Sequence, residues 1–234
     1  SGTYARDAES VPASGAVRVV TLDNGIPVYV KKNTANRILS ITIAVNGGPG
    51  YLTPETSWLE NALFSMMTRG SEKYSYEQLQ QMQYRMGFGI SPSSSREGAS
   101  LSAGCIDYYF DKVLPVLIDA FMNPSYNEDQ YKTMMTGYRE AMQAYESDPE
   151  SMLSYSISQT LFKDHPYMTS SQVKPYSIDN MTIDRMKALH DKDMDARRIF
   201  VVAVGNFDAE KLARRLNSTL GTIARQTYEL KSQH

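Results

Sequence analysis

The sequence predicts an α+β domain in which helices pack on one face of a largely antiparallel sheet. The first observation behind this reading is a hairpin signal. Two apolar runs, 17–22 and 26–31, flank Asp23-Asn24-Gly25, a turn chemistry that tolerates the positive φ a tight hairpin needs. The second is the alternation Leu-Ser-Ile-Thr-Ile-Ala-Val over 39–45, the period of a half-buried strand. The third is that the remaining segments mix short strands with paired helices instead of alternating one strand with one helix.

Taken in order, the third strand stops at the loop Asn46-Gly47-Gly48-Pro49-Gly50. Thr53-Pro54-Glu55 then supplies a cap, a Pro at the first helical position and an early acid, which start a helix running to about Arg69, where Gly70 ends it. A second helix is expected over 75–86, followed by short strands over 88–95 and 99–105 built from small residues. Residues 108–122 read as helix, and Asn123-Pro124 breaks the chain before a long helix beginning near Asn127. Asp148-Pro149-Glu150 opens a further helix through Leu161, and a polar stretch is expected to run from the His165-Pro166-Tyr167 loop to Asn180. A helix over 182–191, a buried strand over 198–204 and a last helix over 208–220 complete the reading. The organisation expected is a flexible leader over 1–16, one domain over 17–225 and a tail over 226–234.

Composition narrows the function classes. With 24 Lys plus Arg against 26 Asp plus Glu, the chain lacks the basic excess that phosphate neutralisation demands, so no nucleic-acid partner is expected. No apolar run reaches the ~20 residues of a membrane-spanning helix, so no membrane span is expected. A single cysteine, Cys105, excludes an internal disulfide framework, and three scattered histidines, His165, His190 and His234, argue against a histidine-bound metal on this chain alone. Gly47-Gly48-Pro49-Gly50 lacks the spacing and the lysine of a phosphate loop. Gly87-Phe88-Gly89 precedes a strand, not the helix that a dinucleotide fingerprint opens.

The helix at 54–69 carries the sharpest pattern. Trp58, Leu59, Ala62, Leu63, Met66 and Met67 make an apolar side, while Ser57, Asn61 and Ser65 recur every four residues on another, with Glu60 beside them. Pattern alone allows either a helix with one core face and one wet face or a site facing a cleft. Around it the chain resembles a family. Thr21-Leu22-Asp23-Asn24-Gly25, Leu59-Glu60-Asn61-Ala62-Leu63-Phe64 and Arg69-Gly70-Ser71-Glu72-Lys73-Tyr74 stand in the order of the corresponding segments of pitrilysin/insulinase-type zinc metallopeptidases. That group includes the mitochondrial processing peptidase. Asn123-Pro124-Ser125-Tyr126, Tyr145-Glu146-Ser147-Asp148-Pro149, His165-Pro166-Tyr167 and the closing strand before Asn206-Phe207-Asp208 continue the match. The resemblance implies a fold of the LuxS/mitochondrial processing peptidase-like type.

It also implies where a metal site would lie. The family signature H-x-x-E-H places two histidines four apart to bind zinc and a glutamate to activate the bound water. In this register the histidine positions are Ser57 and Asn61, and the glutamate is Glu60. Counting back from Asp148-Pro149 puts the third ligand at Ala141, with Glu140 one residue away. The resemblance therefore implies a degenerate site with no catalytic, metal or cofactor-binding residues of its own. Glu60 is then expected to be a solvated or hydrogen-bonded carboxylate, or else a residual substrate contact. Apart from the resemblance, His190 reads as a capping or exposed residue in a charged run, and Cys105 as a buried inert thiol. By the resemblance, His165 belongs to a structural His-Pro-Tyr loop rather than acting as a replacement ligand. Tyr126, Tyr131, Tyr138 and Tyr145 read as a packing stripe on the long helix, or as a surface facing peptide.

The function implied is a non-catalytic, metallopeptidase-like domain that shapes a peptide-binding chamber. Its partners would be a second peptidase-like unit and a catalytic half, in the same chain or another subunit, and the zinc would sit in that half. The alternative is a purely structural unit resembling the core proteins of respiratory complexes. A bacterial periplasm or another exported compartment is compatible with this reading.

Overall fold

The computed structural model describes residues 16–47, 58–95, 98–161 and 175–226. Six strands, β1 (Val17–Thr21), β2 (Pro27–Lys32), β3 (Ile38–Asn46), β4 (Gly89–Ser95), β5 (Gly98–Ile106) and β6 (Ile199–Gly205), form one sheet in the order β1-β2-β6-β3-β5-β4. All neighbouring pairs are antiparallel except β2 with β6, which run parallel. The closing strand thus inserts between the N-terminal hairpin and β3 at the sheet centre, while β1 and β4 form the two edges.

Alternation decides which face is the core. On β3, Leu39, Ile41, Ile43 and Val45 are buried while Ser40 and Thr42 turn to the other side. Ala99, Leu101, Ala103 and Cys105 of β5 and Ile199, Val201 and Ala203 of β6 follow the same period. Against that face pack α1 (Leu59–Met67), α3 (Phe110–Met122) and α8 (Ala209–Asn217). The α4 helix (Glu128–Ser147) and α7 (Ile183–Asp193) lie against α1, and α5 (Pro149–Leu161) packs on α4. The sequence reading of an α+β layer fold with a largely antiparallel sheet and helices on one face holds.

Local chemistry explains the element ends. The α2 helix (Tyr76–Met86) starts with a capping box between Ser75 and Gln78 and stops at Gly87 in the left-handed conformation. Asn127 caps α4 through the N–H groups of Asp129 and Gln130, and Thr182 caps α7. After α1 the chain turns at Gly70, with φ +124°, and is stapled to the end of α3. The buried Asp119 carboxylate accepts from the Lys73 N–H at 3.0 Å and from the Asn123 side-chain amide at 3.0 Å.

Two expectations change. The stretch before Asn180 is not wholly irregular, because α6 (Pro175–Asn180) forms there. Pro175 suits a first helical position, and Ile178 and the following Met181 are buried. The last helix ends at Asn217 and gives way to a short 3₁₀ turn, Leu220–Thr222. The expected cap at Thr53-Pro54, the His165 loop and most of the expected leader and tail lie outside the described residues.

Candidate functional site

The site of interest lies where α1 meets α4 on one side and α7 with the start of β6 on the other. The core face of α1 is as expected: Leu59, Ala62, Leu63, Met66 and Met67 are all buried, and Trp58 is half-buried. The polar residues then point in two directions. Asn61 and Ser65, half-buried and four apart, face α4. There the Tyr138 hydroxyl donates to Asn61 Oδ1 and lies 3.4 Å from Ser65 Oγ. The Trp58 ring meets Tyr138 edge-on at 6.3 Å. Burial pushes the Tyr138 phenol above its ordinary pKa, so it keeps its proton.

Glu60 is turned about 100° around the helix from Asn61. It is only 4% exposed, which removes the solvated alternative of the expected solvated or hydrogen-bonded carboxylate. The reason is its surroundings. Arg198, 3% exposed, donates to Asp193 Oδ1 at 2.9 Å, to the Asn46 carbonyl at 3.0 Å and to the Lys192 carbonyl at 3.2 Å. Glu60 joins this buried group. Burial first, and the charge of Asp193 second, push its pKa up to about 7, with Arg198 pulling the other way. Burial likewise pushes Asp193 up to about 6 against the pull of Arg198. Gly47 is explained by the same crowding, since a Cβ there would sit 3.3 Å from Glu60 Oε1 and 3.1 Å from the Gly98 Cα.

Ser57 lies outside the described residues. Glu140 and Ala141 are both exposed on α4. At about 100° per residue, Ala141 stands about 60° from Tyr138 on the α1-facing side, whereas Glu140 stands about 160° away. The donors present do not fit a zinc ion. The Asn61 amide oxygen is engaged by a phenol, Ala141 has no donor atom, and Glu60 is held in a dry interior beside a guanidinium. Among the described residues no three His, Cys, Asp or Glu side chains are grouped to hold a metal.

Of the two expectations for His190, capping or exposure, exposure fails and the residue meets the last turn of α3. It is buried, with Nε2 2.8 Å from the Phe121 carbonyl, and burial lowers its pKa, so the neutral ring donates to that carbonyl. Cys105 is buried on β5 and its thiol is pushed up to about 11, chiefly by burial, consistent with an inert side chain. Of the tyrosine stripe, Tyr131 and Tyr138 pack against the core, and Tyr145 donates to the Ser151 carbonyl at 2.8 Å. Tyr126 precedes α4 in a positive-φ turn, φ 49°. Sequence reasoning missed the roles of Tyr138, Asp193 and Arg198. The available signal was an arginine opening an otherwise apolar strand.

The polar residues of α1 thus have partners within the chain: Asn61 has the Tyr138 phenol, and Glu60 lies in a dry interior beside Asp193 and Arg198. The profile of the insulinase family (Peptidase family M16) matches residues 28–172, more than half of the chain. The chain belongs to that family. It is 22% identical over 149 residues to the uncharacterized zinc protease YmxG of Bacillus subtilis, covering 64% of this chain and 36% of that one. It is 20% identical over 199 residues to a probable mitochondrial-processing peptidase subunit beta of Arabidopsis thaliana, covering 85% and 38%. The chain thus spans under two fifths of the length of these relatives. Its fold superposes on the peptidase M16 inactive domain from Pseudomonas fluorescens with a TM-score of 0.81 at 14% identity, over 93% of this chain and 53% of that one. No helix among the described residues is long and apolar enough to cross a membrane.

Proposed function

We propose that this chain is a non-catalytic unit of an M16 metallopeptidase that shapes a peptide-binding chamber together with a catalytic half. The observation that carries the reading is the engagement of Asn61 by Tyr138 at a position where the family has a zinc-binding histidine. Taking Ala141 as the third-ligand position, by its place on the Tyr138 side of α4, none of the described ligand positions offers a competent donor. Zinc then belongs to the partner half, and the relatives named as zinc proteases support zinc chemistry in the family. The proposed domain spans 17–225. Partners are a second peptidase-like unit and the catalytic half, in the same chain or in another subunit.

Sedimentation of this chain with its full parent or catalytic partner tests the proposal. An equimolar complex with a raised rate of peptide cleavage is expected. Full activity of the parent with this unit deleted would remove the helper role.

A purely structural role is the second reading, and one observation favours it. Val17, Val19, Tyr29, Ile38 and Ile106 are exposed, between 38% and 54%, and register places all five on the sheet face away from the helices. Exposed apolar residues on that face suit permanent assembly with a second unit of this fold.

A further inference from the structure

We propose that Tyr138 is a built-in replacement for the metal: its hydroxyl ties α4 to α1 through Asn61 and Ser65 and keeps the former ligand position closed to a cation. The inference deepens the metal-free reading and rests on it for the register of the two helices.

In the resembling enzymes, zinc is the group that joins the helix bearing two histidines to the long helix bearing the third ligand. Here the same two helices are joined without it. A phenol has one proton and two lone pairs. Its proton is given to Asn61 Oδ1, so at 3.4 Å the Ser65 hydroxyl is the donor and Tyr138 the acceptor. The hydroxyl therefore answers two polar residues spaced one helical turn apart on α1. The ring is positioned as well as the oxygen. Trp58 meets it at 72° and 6.3 Å, an edge-to-face geometry that favours one placement. Burial of the phenol keeps it protonated and able to donate. A tyrosine reaches across with only two rotatable side-chain bonds, so little order has to be imposed to hold the link.

The inference separates Tyr138 from the rest of its stripe. Tyr131 packs on the core and Tyr145 closes the α4–α5 turn. Tyr138 bonds the polar side of α1.

A double-mutant cycle tests the tie in the unmodified background. Tyr138→Phe and Asn61→Ala are combined, and unfolding is followed in urea. A coupling of about fivefold in the unfolding equilibrium constant is expected for one partly buried hydrogen bond. Strictly additive effects would overturn the tie. Closure is tested by cobalt absorption, a readout that packing alone does not move. Ser57→His/Asn61→His/Ala141→Glu supplies a full donor set and is compared with the same variant carrying Tyr138→Ala. Binding of Co²⁺ at least ten times tighter without Tyr138 is expected. Equal affinity in both, or no binding in either, would overturn the closure. Loss of the coupling counts against Tyr138 itself. Tight metal binding by the unmodified chain would instead count against the metal-free reading.

Discussion

Replacing Glu60 with glutamine should stabilise the domain by an amount that grows between about pH 4.5 and pH 7 and is constant above. Glu60 is 4% exposed and shares its buried site with Asp193 and Arg198. Its pKa rises from an ordinary 4.5 to about 7, chiefly because burial disfavours the charged form. The folded state therefore holds this proton more tightly than the unfolded state does. Stability is unaffected below the unfolded pKa, falls as pH rises between the two values, and reaches its full penalty above the folded one. At about 1.4 kcal/mol per pKa unit, the shift is worth roughly 3 kcal/mol. A glutamine side chain would keep the shape of the protonated acid without titrating. Glu60→Gln should thus differ from wild type by less than about 1 kcal/mol at pH 5 and be more stable by about 3 kcal/mol at pH 8. For a domain of this size the midpoint should rise by roughly 5–10 °C. Urea titrations and thermal scans from pH 5 to 8.5 would read both. A glutamine variant no more stable than wild type at pH 8, or stabilised equally at pH 5, would show that Glu60 is not held neutral by its burial.

The remaining predictions concern the same region. Arg198→Ala should cost about 3–5 kcal/mol, because it leaves Asp193 buried without its partner; chemical denaturation at pH 7 measures the loss. Gly98→Ala should be severely destabilising, since φ is +146° and the added Cβ would fall 2.0 Å from the Val45 carbonyl oxygen. A soluble, fully stable alanine variant would contradict that strand geometry. Metal analysis after dialysis against micromolar zinc should find no stoichiometric metal, and one tightly held equivalent lost on mutating Glu60 would refute the metal-free site. Ser57→His/Asn61→His should not cleave unfolded peptides. Chelator-sensitive cleavage by that variant would mean that α4 still supplies a carboxylate.

The fold was legible because its signals are local. Asp23-Asn24-Gly25 marks the first hairpin, 39–45 alternates cleanly, and Asn127, Thr182 and Gly87 act where caps are expected. The short α6 was missed because a six-residue helix has too few turns for periodicity, and its only marks are a starting proline and the burial of Ile178. His190 was misjudged because its neighbours in sequence are charged, while its partner is the Phe121 carbonyl 69 residues away. The site was legible only as a set of positions. Which way Glu60 and Asn61 point depends on Tyr138, 77 residues after Asn61, and on Asp193 and Arg198 near the other end of the domain. No window of sequence contains those pairs.

The polar residues of α1 have partners other than a metal. A glutamate that must activate water needs access to solvent and a neighbouring cation, whereas Glu60 has a guanidinium nearby and almost no solvent. An asparagine is a poor ligand but a good partner for a phenol, and Asn61 has one. The two residues face different neighbours about 100° apart around α1, Asn61 toward Tyr138 of α4 and Glu60 toward Asp193 of α7 and Arg198. Restoring histidines would undo only the first of these. The carboxylate would still face Asp193 and Arg198, so a metal rebuilt on this helix would have no base beside its water. Recovered metal binding and recovered hydrolysis are therefore expected to be separate events, and cobalt binding without peptide cleavage in Ser57→His/Asn61→His/Ala141→Glu is the result that would show it.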